Sequence, residues 1–262
     1  MAGSRDVATL LLNRYTILRA LDASPRTKQE LLREVEISRS TLDRVMRKLE
    51  KAGLVVYTDG EWHLTVYGRC AFTLHQRYRE QLSGLREAAS LVDAPSEVTP
   101  LDCSLLIDAD VYSSEGAIQE DVMQVLLDAA REATRFRLFT PRVLAAHVEA
   151  FYETALVGDN PRVELVVSVS LFDQLRAYFP DLIHEAVTDS PISFYTSDVP
   201  DSFGLWIADH DHVGVLVFGE SGIRGILVND SDAALRLGEE QYEEVKQTAD
   251  PVFLRGQPRR KW

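Results

Sequence analysis

Two histidines and two aspartates alternate in the segment from Asp209 to His212, and imidazole and carboxylate groups are common ligands of transition-metal ions. If this segment is a strand, His210 and His212 lie on one face and the two carboxylates on the other. No third ligand has a defined position in the sequence, and a polar connection between two strands explains the same residues. We therefore predict no metal site.

Residue patterns typical of catalysis are weak elsewhere in the chain. The sequence lacks the phosphate-binding loop GxxxxGK(S/T), its glycines do not form GxGxxG, and HxKxxxxD does not occur around its six histidines. The segment GESGI, residues 219–223, approaches the nucleophile elbow GxSxG but ends in isoleucine where the motif needs glycine. We therefore predict that the protein is not an enzyme, has no catalytic residues and needs no cofactor.

The segment SRSTLDRVMRKLEKAGLV, residues 38–55, offers a different chemistry, the binding of phosphate groups. On a helical wheel with Leu42 at the origin, Val45, Met46 and Leu49 lie within about 60° and form an apolar stripe. The opposite sector of the wheel, between about 140° and 240°, holds Ser40, Arg44, Arg47, Lys48 and Lys51. The two acidic residues of the segment lie outside this sector.

An exposed basic sector on such a helix is typical of the recognition helix of a helix-turn-helix, which enters the major groove of double-stranded DNA. Short polar groups and arginine near the helix N-terminus suit contacts with base edges, and cations further along suit phosphates. We expect base or near-base contacts from Arg39, Ser40, Thr41 and Arg44, and phosphate contacts from Arg47, Lys48 and Lys51. The hairpin tip at Thr58–Gly60, followed by Glu61, is not basic and predicts a weak contact at most.

The elements around this segment predict a winged helix-turn-helix over residues 1–68. Apolar spacing indicates one helix over 10–21, and Thr27 with Glu30 forms a capping box for a second helix. Ser38 caps the third helix, the recognition helix 38–53. Two short strands then flank Asp59-Gly60, which is a strong hairpin signal.

A long helical pattern follows over residues 66–91 and belongs to a predicted connecting or dimerisation region, residues 69–94. Winged-helix regulators usually read paired half-sites, and this helix carries enough apolar residues to pair with a second copy. We therefore expect a homodimer. The same side chains, Phe72, Leu82 and Leu85 among them, could instead pack on the protein's own second domain.

Residues 95–255 alternate between strand and helix patterns and predict an α/β domain with a mixed sheet. LDCSLLID at 101–108 has a strand pattern, and the segment from Pro141 has a helix pattern beginning at that proline. Residues 256–262 read as a flexible tail. The fold class is therefore α/β (α+β) with two domains. An effector pocket is plausible but not located, although four side chains lie at element ends, where pockets often form: Phe139, Arg142, Tyr195 and Trp206.

Charge divides the chain in the same way. The formal net charge is -13, but residues 1–92 carry +4 and the remainder -17, and only five of the 28 basic residues are lysine. The split predicts two domains with different partners, and the acidic, arginine-rich balance favours a halophilic protein. The sequence contains no run of about 18 apolar residues, so we expect no membrane span. The N-terminal segment is amphipathic, which distinguishes it from a signal peptide. We expect a cytoplasmic protein in which Cys70 and Cys103 are buried or half-buried thiols.

Several segments in this order resemble a family of archaeal transcription regulators. They are RSTLDRVMRKLEKAGLV, HLTVYGR, FRLFTPRVLAAHVEAFYETAL with RVELVVSVSLFDQL, and HVGVLVFGESGIRGILVNDSD. The family joins a winged helix to a domain first described in a methanogenesis regulatory protein. The resemblance implies a DNA-binding regulator whose second domain senses an effector or mediates oligomerisation, and it implies no catalytic residues.

Two other classes of protein remain open at this stage. The second domain could be a ligand-binding or catalytic α/β domain, with the winged helix serving only as a protein-docking module. A scaffold protein without DNA affinity is also compatible with the pattern. Loss of activity on removal of Arg44 and Lys48 is expected only of the DNA-binding protein.

Overall fold

The structure is a computed structural model that describes residues 3–92, 101–114, 119–157, 161–188, 190–219 and 222–253. The chain divides into two compact units, Met1–Leu82 and Ser83–Trp262. The predicted tail 256–262 and the last two residues, 93 and 94, of the predicted connecting region lie outside the described residues, as do residues 220 and 221 of the GESGI segment.

The first unit contains helices, a hairpin and most of a long helix. Its elements are α1 Ser4–Asn13, α2 Tyr15–Ala23, α3 Lys28–Glu34, α4 Arg39–Lys51, β1 Val55–Thr58, β2 Glu61–Leu64 and α5 Val66–Leu91, which ends in the second unit. The prediction of one helix over 10–21 was wrong, because the chain breaks at Arg14 into two helices. Apolar residues recur at helical spacing on both sides of that break, so periodicity alone does not reveal it.

Sequence-local signals set the ends of α3, α4 and the hairpin. The predicted capping box is confirmed, since Thr27 Oγ1 accepts from the Glu30 amide and the Glu30 carboxylate accepts from the Thr27 amide. Asp59 and Gly60 both have positive φ, 54° and 89°, as a tight hairpin turn requires. Arg26 extends the hairpin by exchanging backbone hydrogen bonds with Trp62. Four helices and a two-stranded wing therefore surround one apolar core, and the predicted winged helix-turn-helix is confirmed.

The start of α5 is tied to the end of α4 by two residues of the HLTVYGR segment. Thr65 Oγ1 donates to the Gly53 carbonyl at 2.6 Å and accepts from the Gly68 amide at 2.9 Å. Gly68 lies so close to β1 that a Cβ there would approach the Leu54 carbonyl oxygen to 1.9 Å. A side chain at position 68 would therefore push α5 away from the wing.

The second unit is a mixed sheet covered by helices. Its helices are α6 Cys103–Leu106, α7 Gln119–Glu132, a 3-10 turn at Ala145–His147, α8 Val148–Ala155, α9 Val169–Tyr178, α10 Pro180–Thr188 and α11 Asp232–Gln247. Its strands are β3 Asp110–Ser113, β4 Arg135–Thr140, β5 Arg162–Val167, β6 Ile192–Thr196, β7 Phe203–Ala208, β8 His212–Gly219, β9 Gly222–Asn229 and β10 Asp250–Pro251.

The strand order among the described residues is β10-β6-β5-β4-β7-β8-β9-β3, with β4, β5 and β6 parallel and the other pairs antiparallel. Alternate residues of the central strands belong to two apolar clusters, one on each face of the sheet. One cluster packs against α7–α10 and includes Phe136 and Leu138. The other packs against α6 and α11 and includes Phe139 and Leu205. The expected α/β fold with a mixed sheet is confirmed.

Three local predictions in the second unit were wrong. The segment 101–108 forms α6, capped by Asp102, and the strand begins only at Asp110. The helix expected from Pro141 begins at Val148 after a 3-10 turn. Cys103 and, in the first unit, Cys70 are exposed free thiols, although cysteine is usually buried. Within the described ranges, no helix combines the length and the apolar character needed to cross a bilayer.

Candidate nucleic-acid interface

Helix α4 separates an apolar face from a basic face, as its sequence pattern predicts. Leu42, Val45, Met46 and Leu49 are at most 3% exposed and belong to the core of the first unit. All seven predicted DNA-contacting residues lie on this helix, and Thr41 is half-buried. The exposed members of the set are Arg39, Ser40, Arg44, Arg47, Lys48 and Lys51.

The N-terminus of α4 carries a cluster of hydroxyl groups. Ser38 Oγ accepts a hydrogen bond from the Thr41 amide at 3.2 Å and also contacts the hydroxyls of Thr41 and Ser40, at 2.9 and 3.1 Å. The cap therefore engages the two hydroxyls that the sequence assigns to base edges. A hydroxyl both donates and accepts, so each can rotate toward a new partner.

One acidic residue on α4 is neutralised by the neighbouring helix. Asp43 forms an ion pair with Lys28 of α3. The hydrogen bond that Lys28 donates within this ion pair is the main reason that the pKa of Asp43 is lowered, and the charges of Arg39 and Arg47 make smaller contributions. Lys28 was not among the predicted site residues. Its ion pair with Asp43 compensates the negative charge beside the basic side chains of α4, so this carboxylate repels a bound anion less strongly.

The wing presents an exposed and slightly acidic tip. Thr58, Asp59 and Gly60 are exposed, and behind them the Tyr57 and Trp62 rings lie 5.0 Å apart. The tip is thus accessible but lacks the positive charge that would strengthen contact with phosphate groups.

An apolar stripe runs along the part of α5 that belongs to the first unit. We call the residues Tyr67, Leu74, Tyr78 and Leu82 the α5 stripe; they recur at helical spacing and are 47–66% exposed. Phe72, in contrast, is fully buried in the core of the first unit, so it is not available to a second copy. Helix α5 therefore carries exposed apolar side chains that do not pack in the core of the first unit.

The alternating segment Asp209–His212 forms a turn between two strands. Asp209 has a φ of 50° and its carboxylate accepts hydrogen bonds from the amides of Thr134 and Arg135. His210 is exposed, while burial lowers the pKa of His212 at the start of β8. Among the described residues, no three histidine, cysteine or acidic side chains lie close enough to hold a metal ion.

The second unit contains a buried arginine that the sequence reading missed. Arg137 is 2% exposed in β4, its guanidinium binds the Glu239 carboxylate of α11 through two nitrogens, and its Cζ lies 5.4 Å from the Tyr242 ring centroid. The signal in the sequence is a charged residue, Arg137, within the apolar strand segment FRLFT. Of the four residues considered for a pocket, Phe139 and Trp206 are fully buried, and Lys246 lies over the Tyr195 ring.

Two protein-family models match the chain. Residues 4–87 match the HVO_A0261 N-terminal domain, and residues 120–248 match the middle domain of the methanogenesis regulatory protein FilR1. No curated protein sequence matches.

Three solved structures show weak similarity to the chain. The chain is similar to TrmBL2, an archaeal chromatin protein described as having a novel mode of DNA binding, with 16% identity over 95% of this chain and 100% of that one and a TM-score of 0.44. It is similar to Nuc, a phospholipase D family member from Salmonella typhimurium, with 14% identity over 55% of this chain and 97% of that one and a TM-score of 0.40. The MarR family protein Rv2887 from Mycobacterium tuberculosis shares 24% identity over 36% of this chain and 73% of that one, with a TM-score of 0.26. Similarity at this level carries no inference about function.

Proposed function

We propose that the chain, which matches the middle domain of the methanogenesis regulatory protein FilR1 over residues 120–248, is a transcription regulator that acts by placing α4 in the major groove of promoter DNA. The observation that carries this proposal is the basic face of α4. Six of the seven predicted contact residues are exposed there, opposite a stripe of buried apolar residues, on the last helix before the wing in a winged helix-turn-helix.

The contacts divide along the helix. Arg39, Ser40, Thr41 and Arg44 lie at the N-terminal end, where side chains of a recognition helix reach base edges. Arg47, Lys48 and Lys51 lie further along and would bind phosphates, which adds affinity without sequence preference. The wing tip adds a weak contact at most, because Asp59 and Glu61 repel phosphate.

The charge of the rest of the chain supports the same assignment. Residues beyond 92 carry a net charge of -17, against +4 for residues 1–92. An acidic second domain repels a polyanion from every surface except the basic face of α4, and this disfavours wrong docking poses. If the protein works in concentrated salt, counterion release contributes less, and specificity relies more on hydrogen bonds and shape.

We propose that the regulator is a homodimer paired through the α5 stripe. Exposed apolar residues at helical spacing on a long helix are suited to pairing with a second copy, and paired recognition helices match paired half-sites. In this assignment residues 1–68 bind DNA, 69–94 connect and dimerise, and 95–255 sense an effector or support oligomerisation without catalysis. Its place of action is the cytoplasm, where promoter DNA lies.

Fluorescence anisotropy tests the proposal. The protein is titrated against a labelled duplex from its own upstream region and against a scrambled duplex, at several KCl concentrations. We expect tighter binding to the upstream duplex and at least a tenfold loss for Arg44→Ala/Lys48→Ala, because each good base contact contributes about 1–3 kcal/mol. The matched control is Arg5→Ala/Arg19→Ala, which removes the same charge from exposed positions on α1 and α2.

Two results would count against the proposal. If the folded wild-type protein binds neither duplex at any salt concentration, the protein does not act by binding DNA directly. If Arg44→Ala/Lys48→Ala binds as tightly as the wild type, α4 is not the interface. The winged helix would then be better explained as a protein-docking module.

A further inference from the structure

One apolar cavity lies inside the second unit, between the sheet face that carries Leu138, Leu165 and Leu216 and the helices α7–α10 that cover it. Its volume is about 90 Å³. A single water needs about 10–15 Å³ of such space, so the cavity has room for roughly six to nine water-sized groups. Well-packed interiors have few voids larger than one water.

The lining determines which molecules can enter. The described residues that line the cavity are apolar except for Thr140, Arg142, His147 and Tyr152. An apolar wall disfavours a sugar or a nucleotide, because each of their polar groups would lose water without gaining a partner. The body of a suitable ligand is therefore a hydrocarbon chain or ring.

A positive charge stands at the edge of this cavity. Arg142 is exposed, and its Nη1 donates to the Gly219 carbonyl at 3.2 Å while its Cζ lies 5.8 Å from the ring centroid of Phe218, itself a lining residue. Its backbone is held by the buried Thr140, whose hydroxyl donates to the Arg142 carbonyl at 2.7 Å. A guanidinium carries five N–H donors, and the bond to Gly219 uses one of them.

A second polar group, the Tyr152 hydroxyl, lies in the lining but is already engaged within the protein. The hydroxyl is shielded from solvent, and burial together with the nearby Glu185 carboxylate raises the pKa of Tyr152. The hydroxyl therefore stays neutral and is not counted as a ligand contact. The cavity thus combines an apolar body with one accessible cation, Arg142.

We propose that this cavity binds a small monocarboxylic acid with an apolar tail of about six to nine heavy atoms, matching the six to nine water-sized groups above. The tail lies among the leucines of the sheet, and the carboxylate pairs with the Arg142 guanidinium, which suits a planar anion. A role for this acid as effector rests on the proposed function, whereas the binding site itself does not.

Calorimetric titration of the full-length protein without DNA tests the site, with octanoate, 1-octanol and butyrate as probes. We expect octanoate to bind at least tenfold more tightly than octanol, which lacks the charge, and than butyrate, which lacks the tail. Arg142→Ala should lower octanoate affinity at least tenfold and leave octanol affinity unchanged. Arg176→Ala, an exposed arginine of α9 outside the cavity lining, is the matched control and should change neither.

Because Arg142 is exposed, its substitution should not unfold the protein. Arg142→Lys, which keeps the positive charge but loses the planar guanidinium, gives a second variant that should bind octanoate more tightly than Arg142→Ala. Equal binding of octanoate and octanol, or octanoate binding that survives Arg142→Ala, would overturn the assignment of a carboxylate ligand. No binding of any probe by folded protein would overturn the site as a whole. Failure to bind DNA would contradict the proposed function and leave this result standing.

Discussion

The buried pair Arg137–Glu239 predicts an asymmetric response to mutation. Arg137 is 2% exposed and Glu239 is 31% exposed. Removing Glu239 leaves a buried guanidinium without its main partner, whereas removing Arg137 leaves a partly exposed carboxylate that is readily hydrated. Glu239→Ala should therefore destabilise the protein far more than Arg137→Met, which replaces the guanidinium with an apolar side chain of similar length.

The magnitude follows from the surroundings of the guanidinium. An unpaired buried charge costs about 3–5 kcal/mol. The nearest remaining carboxylate oxygen of Glu243 lies 3.9 Å from Arg137 Nη1, and the vacated position of Glu239 admits some water, so we expect the lower end, about 3 kcal/mol. For Arg137→Met we expect a change within about 1 kcal/mol.

Equilibrium unfolding in urea measures both values. Trp206 is fully buried in the second unit and reports on it once the other two tryptophans, Trp62 and Trp262, are replaced by phenylalanine. With an m-value of about 2–3 kcal/mol/M, a loss of 3 kcal/mol moves the midpoint by about 1–1.5 M. Glu243→Ala, at an exposed position, is the control and should change the midpoint little. Equal losses for Arg137→Met and Glu239→Ala would refute the reasoning from burial.

Three further predictions concern the same fold. The pKa of Glu239 is lowered, chiefly by its hydrogen bond from Arg137. The pair therefore stabilises the protein fully above the unfolded-state pKa of glutamate, about 4.3. This stabilisation is lost as the pH falls through the lower folded-state pKa. The difference in Tm between wild type and Glu239→Gln should therefore be largest at pH 7 and smaller at pH 3.5; a constant difference would contradict this. Gly214→Ala should lower Tm by several degrees or prevent folding, because its Cβ would lie 2.0 Å from the indole opposite it, and an unchanged Tm would contradict the packing. Leu74→Glu/Leu82→Glu should dissociate the proposed dimer in sedimentation experiments, whereas Val66→Glu, exposed on the same helix outside the stripe, should not.

The first unit could largely be predicted because its signals are local. The stripe and sector of α4 follow from residue spacing alone, and Asp59-Gly60 supplies the two positive φ angles that the hairpin needs. The capping box at Thr27 likewise specifies a helix start within four residues. The break at Arg14 was not predictable in this way, since neither proline nor glycine marks it.

The second unit was harder to predict because tertiary contacts decide its details. The apolar run at 101–108 is too short for periodicity to separate helix from strand, and the Asn229 side chain fixes the helical segment by donating to the Ile107 carbonyl at 2.7 Å. Helix α10 was missed although Pro180 occupies its first position, a common place for proline. The partner that makes the burial of Arg137 in β4 possible, Glu239 on α11, stands more than 100 residues away along the chain. No local pattern encodes that distance.

The salt dependence of DNA binding tests the role of α4 most directly. Each phosphate contact contributes a slope of about -0.9 to log K against log salt concentration. Lys48→Ala/Lys51→Ala should therefore reduce the magnitude of the slope by about 1.8 for one recognition helix and by about 3.6 for the two helices of a dimer. A slope that stays at the wild-type value would show that α4 does not contact the phosphate backbone and would contradict the account.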